Sequence, residues 1–193
     1  MRYVSTRGNS PVLNFEETML TGLAPDGGLY VPETVPTLTN DQIARMHLGS
    51  YEDAAFDVMW PFVGDTFEED EFREIIATAY EGFGHAARAP LVQLDQGHFL
   101  LELFHGPTLA FKDFAMQLIG QLFEASLKRN GLYDETLIVL TADHGEDLEE
   151  HNAPFEHREP YETTVGIPLI YKPATGVRTK SEALSATMEP KLS

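Results

Sequence analysis

The sequence contains no cysteine and few basic residues: 13 lysines and arginines stand against 31 acidic residues in a chain of 193. Without cysteine the chain forms no disulfide, no thiolate metal site and no cysteine nucleophile. The absence of disulfides also favours a reducing, cytoplasmic setting. The formal net charge of −18 repels phosphate backbones and anionic lipid headgroups, so we expect neither nucleic acid nor a membrane as a partner.

Long apolar runs are missing as well. No run approaches the ~20 residues needed to cross a bilayer, and the N-terminus MRYVSTRGNSP has no apolar core of the kind found in signal peptides. The apolar fraction of 42% is ordinary for a globular protein. The composition therefore predicts a globular, cytoplasmic protein and leaves its oligomeric state open.

Helical patterns dominate the first 130 residues. The clearest lies at 68–80, where apolar side chains recur at i, i+3, i+4, i+7 and i+8: Phe72, Ile75, Ile76, Ala79 and Tyr80. A longer pattern runs from about 111 to 130. Shorter helices are predicted after an N-cap at Asn40 and after Ser50, where Asp53 completes a capping-box pattern. Pro61 is expected to end or kink the second of these.

Strand patterns are fewer. A turn at 25–28 leads into a short strand, and residues 98–103, 136–141 and 167–171 also have strand character. The continuous apolar run TLIVLT at 136–141 predicts a buried strand in a parallel or mixed sheet. We expect two or three strands after residue 97, and a disordered tail at the C-terminus.

Lys112 is the most distinctive polar residue. It stands at the predicted start of the long helix, between Phe111 and Phe114. A helix N-terminus and an apolar setting both lower the pKa of an ammonium group, as a lysine that attacks a carbonyl requires. The alternative is a lysine whose stem packs on the phenylalanines while its ammonium reaches water. The pattern alone is more typical of that alternative.

Several long segments resemble threonine synthases, in the order found in that family. They are YVSTRG at 3–8, FEE at 15–17, GLAPDGGLYVP at 22–32 and ELFHGPTLAFKDFA at 102–115. The resemblance, which covers residues 1 to about 130, implies a fold-type-II pyridoxal-phosphate lyase that converts O-phosphohomoserine to threonine and phosphate. It also implies that Lys112 binds the cofactor covalently and then moves protons on the substrate.

The family's two glycine-rich loops for the cofactor and its phosphate do not occur in this sequence. The acidic turn Ala142-Asp143-His144-Gly145 stands where the first loop is expected. An acidic turn would repel a phosphate group. The sequence therefore predicts a threonine-synthase-like protein that keeps the cofactor lysine, lacks the loops that bind the cofactor and its phosphate, and is incomplete as a catalyst.

A second resemblance begins near residue 127. The segment LKRNGLYDETLIVLTADHGE at 127–146, then His151 and residues 160–170, is similar to the core of sulfatases. It implies that Asp143 and His144 are ligands of a divalent metal (calcium, magnesium or manganese) in a sulfate or phosphate ester hydrolase. A solvated acidic loop is the alternative. The nucleophile context Cys/Ser-x-Pro-x-Arg is missing, and His157 stands where sulfatases commonly have a lysine.

Together these patterns predict an α/β chain: the helix-rich N-terminal part of a fold-type-II pyridoxal-phosphate enzyme, followed by a short strand–loop–strand segment. The expected regions are a threonine-synthase N-terminal-like part (1–90) and the start of a cofactor domain carrying Lys112 (91–130). A sulfatase-like fragment (131–176) and a disordered tail (177–193) follow. The sulfatase resemblance itself begins slightly earlier, at about 127. A non-catalytic chimeric domain is the third functional alternative.

Overall fold

The computed structural model describes residues 1–145, 147–148, 154–156 and 162–175. The chain divides into two units, Met1–Leu127 and Lys128–Ser193. The elements of the first unit, in chain order, are β1 (Tyr3–Ser5), α1 (Phe15–Thr21), β2 (Tyr30–Pro32), α2 (Asn40–Met46), α3 (Tyr51–Val63), α4 (Glu69–Tyr80), β3 (Leu91–Gln93), β4 (Phe99–Leu101) and α5 (Asp113–Arg129), whose last two residues belong to the second unit. The described elements of the second unit are β5 (Ile138–Thr141), β6 (Asp147–Leu148), β7 (Pro154–Glu156), α6 (Glu162–Val165) and β8 (Leu169–Lys172).

Capping boxes begin three of the helices. In α3 the Ser50 hydroxyl accepts from the Asp53 N–H and the Asp53 carboxylate accepts from the Ser50 N–H, which confirms the predicted box. In α2 the cap is Thr39 rather than Asn40. The threonine hydroxyl, one residue earlier, reaches the N–H of Gln42, so the helix begins one position before the predicted start.

The prediction that Pro61 ends α3 is wrong, because the helix continues to Val63; a kink at Pro61 stays a prediction. Proline removes one backbone donor and its ring crowds the preceding turn. Here it lies three residues from the helix end, so one ladder hydrogen bond is lost near a terminus. Phe56 and Val63, on either side of it, are buried, and this packing holds the last turn in place.

The core of the first unit is built around α4. Phe72 and Ile76 are essentially inaccessible to solvent, at 0% and 1% exposure, and each such burial contributes about 1.5–3 kcal/mol. All five apolar positions predicted for the buried face of this helix are buried, so the 3.6-residue pattern is confirmed. Residues from α3 and α5 complete the cluster: Phe56, Val63, Leu118 and Leu122.

The described strands form four two-stranded antiparallel sheets, β1–β2, β3–β4, β5–β8 and β6–β7. The prediction of a buried β5 in a parallel or mixed sheet is therefore wrong: β5 pairs antiparallel with β8, and Val139 and Leu140 are more than half exposed. A continuous apolar run is buried only where other elements cover both faces of its sheet.

The remaining predictions differ mainly at element ends. The long helix spans 113–129 rather than 111–130, and the strands at 98–103 and 167–171 occupy 99–101 and 169–172. Among the described residues after 97 there are five strands rather than two or three, because β6 and β7 are too short to produce a periodic signal. The predicted α/β class is confirmed, and the predicted tail at 177–193 lies outside the described residues.

One carboxylate ties together the loops beside β1 and β2. The Asp26 side chain accepts from the Ser5 hydroxyl at 2.7 and 2.9 Å and from the N–H groups of Asn9 and Gly28 at 2.9 Å. Desolvation opposes ionisation of this carboxyl, but the hydrogen bonds outweigh it and lower its pKa to about 2. The ionised form is therefore the one that stabilises this corner.

We predict that Asp26→Asn lowers the melting temperature at neutral pH and that its deficit against the wild type shrinks in acid. A lowered folded-state pKa stabilises the protein above the unfolded pKa of about 3.8, and this contribution is lost as pH falls through about 2. Thermal unfolding between pH 2 and 7 measures the deficit. Asp134→Asn, in an exposed loop of the second unit, is the control; a deficit that stays constant with pH would contradict the assignment.

Candidate functional site

Lys112 lies immediately before α5, as the sequence predicts. Its carbonyl accepts from the N–H groups of Ala115 at 3.1 Å and Met116 at 2.9 Å, so it is the last residue before the helix. Its side chain is exposed, and Phe111 beside it is 66% exposed. The apolar enclosure assumed in the sequence argument is therefore not formed by Phe111, while Phe114 packs against the core.

Asp113 fixes the turn that presents Lys112. Its side chain, only 3% exposed, accepts from the backbone N–H of Thr108 at 2.9 Å and from the Thr108 hydroxyl at 2.8 Å. A side chain at Gly106 would overlap the Asp113 carboxylate, so glycine is required there. Leu109, at the tip of the turn, adopts a φ of 63°, a left-handed conformation that costs energy for a non-glycine residue.

Two further hydrogen bonds fix the residues on either side of the Lys112 turn. The Tyr80 hydroxyl, at the end of α4, donates to the Phe114 carbonyl at 3.0 Å. Burial, and then the neighbouring Tyr51, raise the pKa of Tyr80, so this phenol is a permanent donor. On the other side of the turn the His105 carbonyl accepts from the Gly84 N–H at 2.8 Å.

Sequence reasoning gave no role to Asp113, Thr108 or Tyr80. The signal for Asp113 was the first-turn position of an acid five residues after a threonine that follows Gly-Pro. An acid at that position suggests a helix-dipole contact, and nothing local shows that it is buried. Tyr80 was predicted only as a core residue, because its partner is 34 residues away.

The start of α5 fits covalent attachment of a cofactor better than it fits a phosphate group. A helix start binds phosphate through open backbone N–H groups. Here the Asp113 N–H donates to Ala110 and the Phe114 N–H to Phe111, and the Asp113 carboxylate occupies the first turn. The ammonium of Lys112 makes no ion pair with the residues the structure describes. The lysine can react with an aldehyde, but the described residues around it supply no open backbone N–H groups for the phosphate of pyridoxal phosphate.

Exposed apolar side chains lie along the β3–β4 hairpin, which leads into the Lys112 segment. Every residue of both strands is exposed, including Leu91, Phe99 and Leu101, and Phe104 in the next loop is half exposed. A contiguous apolar surface of this kind marks a place where a protein is normally covered by something else. The segment that precedes the lysine turn therefore carries an apolar surface that the described residues of the first unit leave exposed.

Asp143 and His144 follow β5, in the second unit. The Asp143 side chain is 86% exposed, and its Oδ1 lies 3.8 Å from the Nε2 atom of His144. The Nδ1 atom of His144 lies 2.7 Å from the Gly145 carbonyl, and the Gly145 N–H donates to Thr164 in α6 at 2.7 Å. The two predicted ligands are thus adjacent on a loop fixed at its glycine.

A complete metal site is not formed by the described residues, in which no group of three or more histidine, aspartate or glutamate side chains could hold an ion. Two ligands bind a divalent cation weakly compared with the six or more that calcium takes. Three residues of the sulfatase-like pattern, Glu146, His151 and His157, lie outside the described residues.

Comparisons with known proteins follow the same division of the chain. The sequence model described as "Threonine synthase N terminus" matches residues 2–80, and the one described as "Sulfatase" matches residues 114–189. Threonine synthase of Pseudomonas aeruginosa is 49% identical over 146 residues, which cover 76% of this chain and 30% of that protein. The chain joins a threonine-synthase-like N-terminal part to a sulfatase-like segment.

Solved structures agree with this threonine-synthase-like assignment. The crystal structure of pyridoxal-phosphate-bound threonine synthase from Brucella melitensis aligns with a TM-score of 0.66 and 48% identity, over 68% of this chain and 28% of that one. Threonine synthase from yeast aligns with a TM-score of 0.62 and 38% identity, over 67% and 27%. The chain thus spans less than a third of the length of these relatives. Within the described part of it, no helix is both long and apolar enough to cross a membrane.

We predict that Asp113→Ala destabilises the first unit by about 1.5–3 kcal/mol, because it removes the two hydrogen bonds that Thr108 donates to a buried carboxylate. Urea unfolding measures the change in the free energy of unfolding. Glu74→Ala, which removes an exposed acid from α4, is the matched control and is expected to cost less than about 0.5 kcal/mol. Equal costs for the two variants would show that the Asp113 contact does not hold the turn.

Proposed function

We propose that this chain is the lysine-bearing N-terminal portion of a threonine-synthase-type protein, in which Lys112 is the residue that attaches pyridoxal phosphate. The observation that carries the proposal is the exposed Lys112 at the start of α5, in a turn held by the buried Asp113. The same region aligns with a threonine synthase whose structure was solved with pyridoxal phosphate bound.

The chain's own residues supply the nucleophile, Lys112, and hold the backbone around it in place. Asp113, Thr108 and the Tyr80 hydroxyl fix the backbone on both sides of Lys112, so that the lysine keeps its place at the start of α5. A lysine attacks a carbonyl through its neutral amine, so it must first lose a proton to solvent or to a neighbouring base. Pyridoxal phosphate, when bound, supplies an electron sink for the substrate's carbon skeleton.

We further propose that the chain alone does not convert O-phosphohomoserine to threonine and phosphate. The amides at the start of α5 are already bonded, and the net charge of −18 opposes the approach of a phosphorylated cofactor and a phosphorylated substrate. The matched part makes up only 30% of the Pseudomonas relative and 28% of the Brucella structure. The chain outside the matched part is where we place the missing phosphate and substrate contacts. A cytoplasmic location belongs to the same proposal.

We predict that pyridoxal phosphate followed by borohydride labels Lys112 in preference to Lys128 and Lys172. The Lys128 ammonium lies 5.3 Å from the Tyr133 ring centroid, and the Lys172 ammonium donates to the Tyr133 carbonyl at 2.6 Å. In each case the contact must break before the amine can attack an aldehyde. Peptide mapping by mass spectrometry should show the label lost in Lys112→Ala and kept in Lys128→Ala.

Two results would contradict this proposal. An equal distribution of label over the lysines would remove Lys112 from the role of cofactor residue. Release of phosphate from O-phosphohomoserine by the wild-type chain, abolished in Lys112→Ala, would show that the chain is a complete catalyst rather than a portion of one. Phosphate release is measured under the labelling conditions, so that both results come from one preparation.

A metal-dependent sulfatase-like or phosphohydrolase-like function is the second candidate. It is favoured by the sulfatase match over residues 114–189 and by the 3.8 Å between Asp143 Oδ1 and His144 Nε2, a separation that two ligands of one divalent ion can have. The non-catalytic chimeric domain remains the third, and it applies if neither the lysine nor the metal experiment gives a specific result.

We predict that calcium, magnesium and manganese do not raise the melting temperature of the chain at millimolar concentration. An ion that binds only the folded state stabilises it by RT ln(1 + [L]/Kd), and two adjacent ligands give too weak a Kd to produce a shift. A rise that disappears in Asp143→Asn, but persists in Asp134→Asn, would support the metal-dependent alternative instead. Asp134 is an exposed acid of the same unit.

A further inference from the structure

A separate pocket lies among α2, α3 and α4, away from the Lys112 turn. Its volume is about 370 Å³, within the range of roughly 300–1,000 Å³ found for small-molecule sites. Its lining combines charged side chains of both signs with two apolar ones: Arg45, Asp53, Asp57, Arg73, Met46 and Leu48. None of these residues was a candidate from the sequence.

The four charged side chains form two opposed pairs that stop short of hydrogen bonding. Arg45 Nη2 lies 3.9 Å from Asp57 Oδ2, and Arg73 Nη1 lies 3.8 Å from Asp53 Oδ1. N–H···O hydrogen bonds extend only to about 3.2 Å. The pocket is therefore electrically balanced across these pairs, while the facing donors and acceptors do not satisfy one another.

One of the two pairs is held in place by contacts outside the pocket. The Asp53 carboxylate accepts from the Ser50 N–H at 3.0 Å and from the Ser50 hydroxyl at 2.9 Å, and these bonds lower the pKa of Asp53. Arg73 donates through Nε and Nη2 to Glu69, and its guanidinium carbon lies 3.6 Å from the centroid of the Phe56 ring. Side chains fixed before binding lose less entropy when a ligand arrives.

We propose that this pocket binds a zwitterionic α-amino acid with an aliphatic side chain. The ligand's carboxylate would lie between the guanidinium groups of Arg45 and Arg73, because arginine matches carboxylate geometry. Its ammonium group would lie between the carboxylates of Asp53 and Asp57. Each of the four protein charges then gains a hydrogen-bonded partner of opposite sign.

The charge of the protein favours a zwitterion over the other ligands of this size. A net charge of −18 repels dicarboxylates and phosphorylated anions at long range, whereas a zwitterion carries no net charge. A cation without a carboxylate would make no favourable contact with either guanidinium group. Met46 and Leu48 supply the apolar part of the lining, which favours an aliphatic side chain over a polar one.

The first test is isothermal titration calorimetry of the full chain with L-leucine as the probe. Two analogues each lack one charge: 4-methylpentanoate has no ammonium group, and 3-methylbutylamine has no carboxylate. We expect L-leucine to bind at least about tenfold more tightly than either analogue, since each lost charged hydrogen-bonding group costs that factor or more. No binding of L-leucine, or equal binding of all three compounds, would overturn the proposal.

The second test locates the binding on the protein. Arg45 and Asp57 are chosen because, unlike Asp53 and Arg73, they make no hydrogen bond described above whose loss would disturb the helices. Arg45→Gln and Asp57→Asn are each expected to weaken L-leucine binding about tenfold. Arg2→Gln, which breaks the exposed pair with Glu33, is the control and is expected to bind as the wild type does. Circular dichroism checks that each variant is folded, and L-leucine affinity unchanged in folded Arg45→Gln and Asp57→Asn would overturn the assignment of this pocket.

A third variant separates this site from the proposed function. Lys112→Ala should bind L-leucine with the affinity of the wild type, because Lys112 does not line the pocket. Loss of binding in Lys112→Ala would place the amino acid at the lysine instead and would overturn the proposal.

Nuclear magnetic resonance spectra locate the bound ligand directly. On addition of L-leucine, we expect shifts of backbone amide signals to be confined to α2, α3 and the first turns of α4.

Discussion

The packing of α4 between α3 and α5 is the constraint on which the first unit depends. Phe72 and Ile76 have almost no exposed surface, and residues from both neighbouring helices close around them. The same helix ends at Tyr80, whose hydroxyl fixes the Phe114 carbonyl. The position of Lys112 is therefore set by the hydrophobic core, through the Tyr80 hydrogen bond and the packing of Phe114, and by the Asp113 carboxylate.

A preformed lysine turn and an uncovered surface occur together here. The turn around Lys112 has a buried acceptor, a required glycine and a strained residue at Leu109, features that a chain retains only where the conformation is specified. The β3–β4 hairpin, which precedes it in the chain, exposes apolar residues on both strands. Under the proposed function the turn would form one wall of the site, and the other wall would come from chain outside the matched part, which is 30% of the Pseudomonas relative.

The parts of the fold that could be predicted are those that depend on local physics. The buried face of α4 follows from a five-position apolar repeat, and the start of α3 follows from the Ser50 capping box. Pro61 and β5 were misjudged because their outcome depends on packing: buried neighbours keep the helix intact at Pro61, and no second sheet face covers Val139 and Leu140 among the described elements. Lys112 was found through resemblance, since its residue pattern alone favoured a surface lysine.

The two pairs of opposed charges among α2, α3 and α4 show what neither pattern nor resemblance reveals. Arg45, Asp57 and Arg73 come from three helices, and each has an ordinary sequence context of exposed helical charge. Their significance comes from their position together in one pocket, where separations of 3.8 and 3.9 Å within the pairs are too long for a hydrogen bond. Only packing of the helices determines such distances, and the core around Phe72 is therefore what organises both the lysine turn and this pocket.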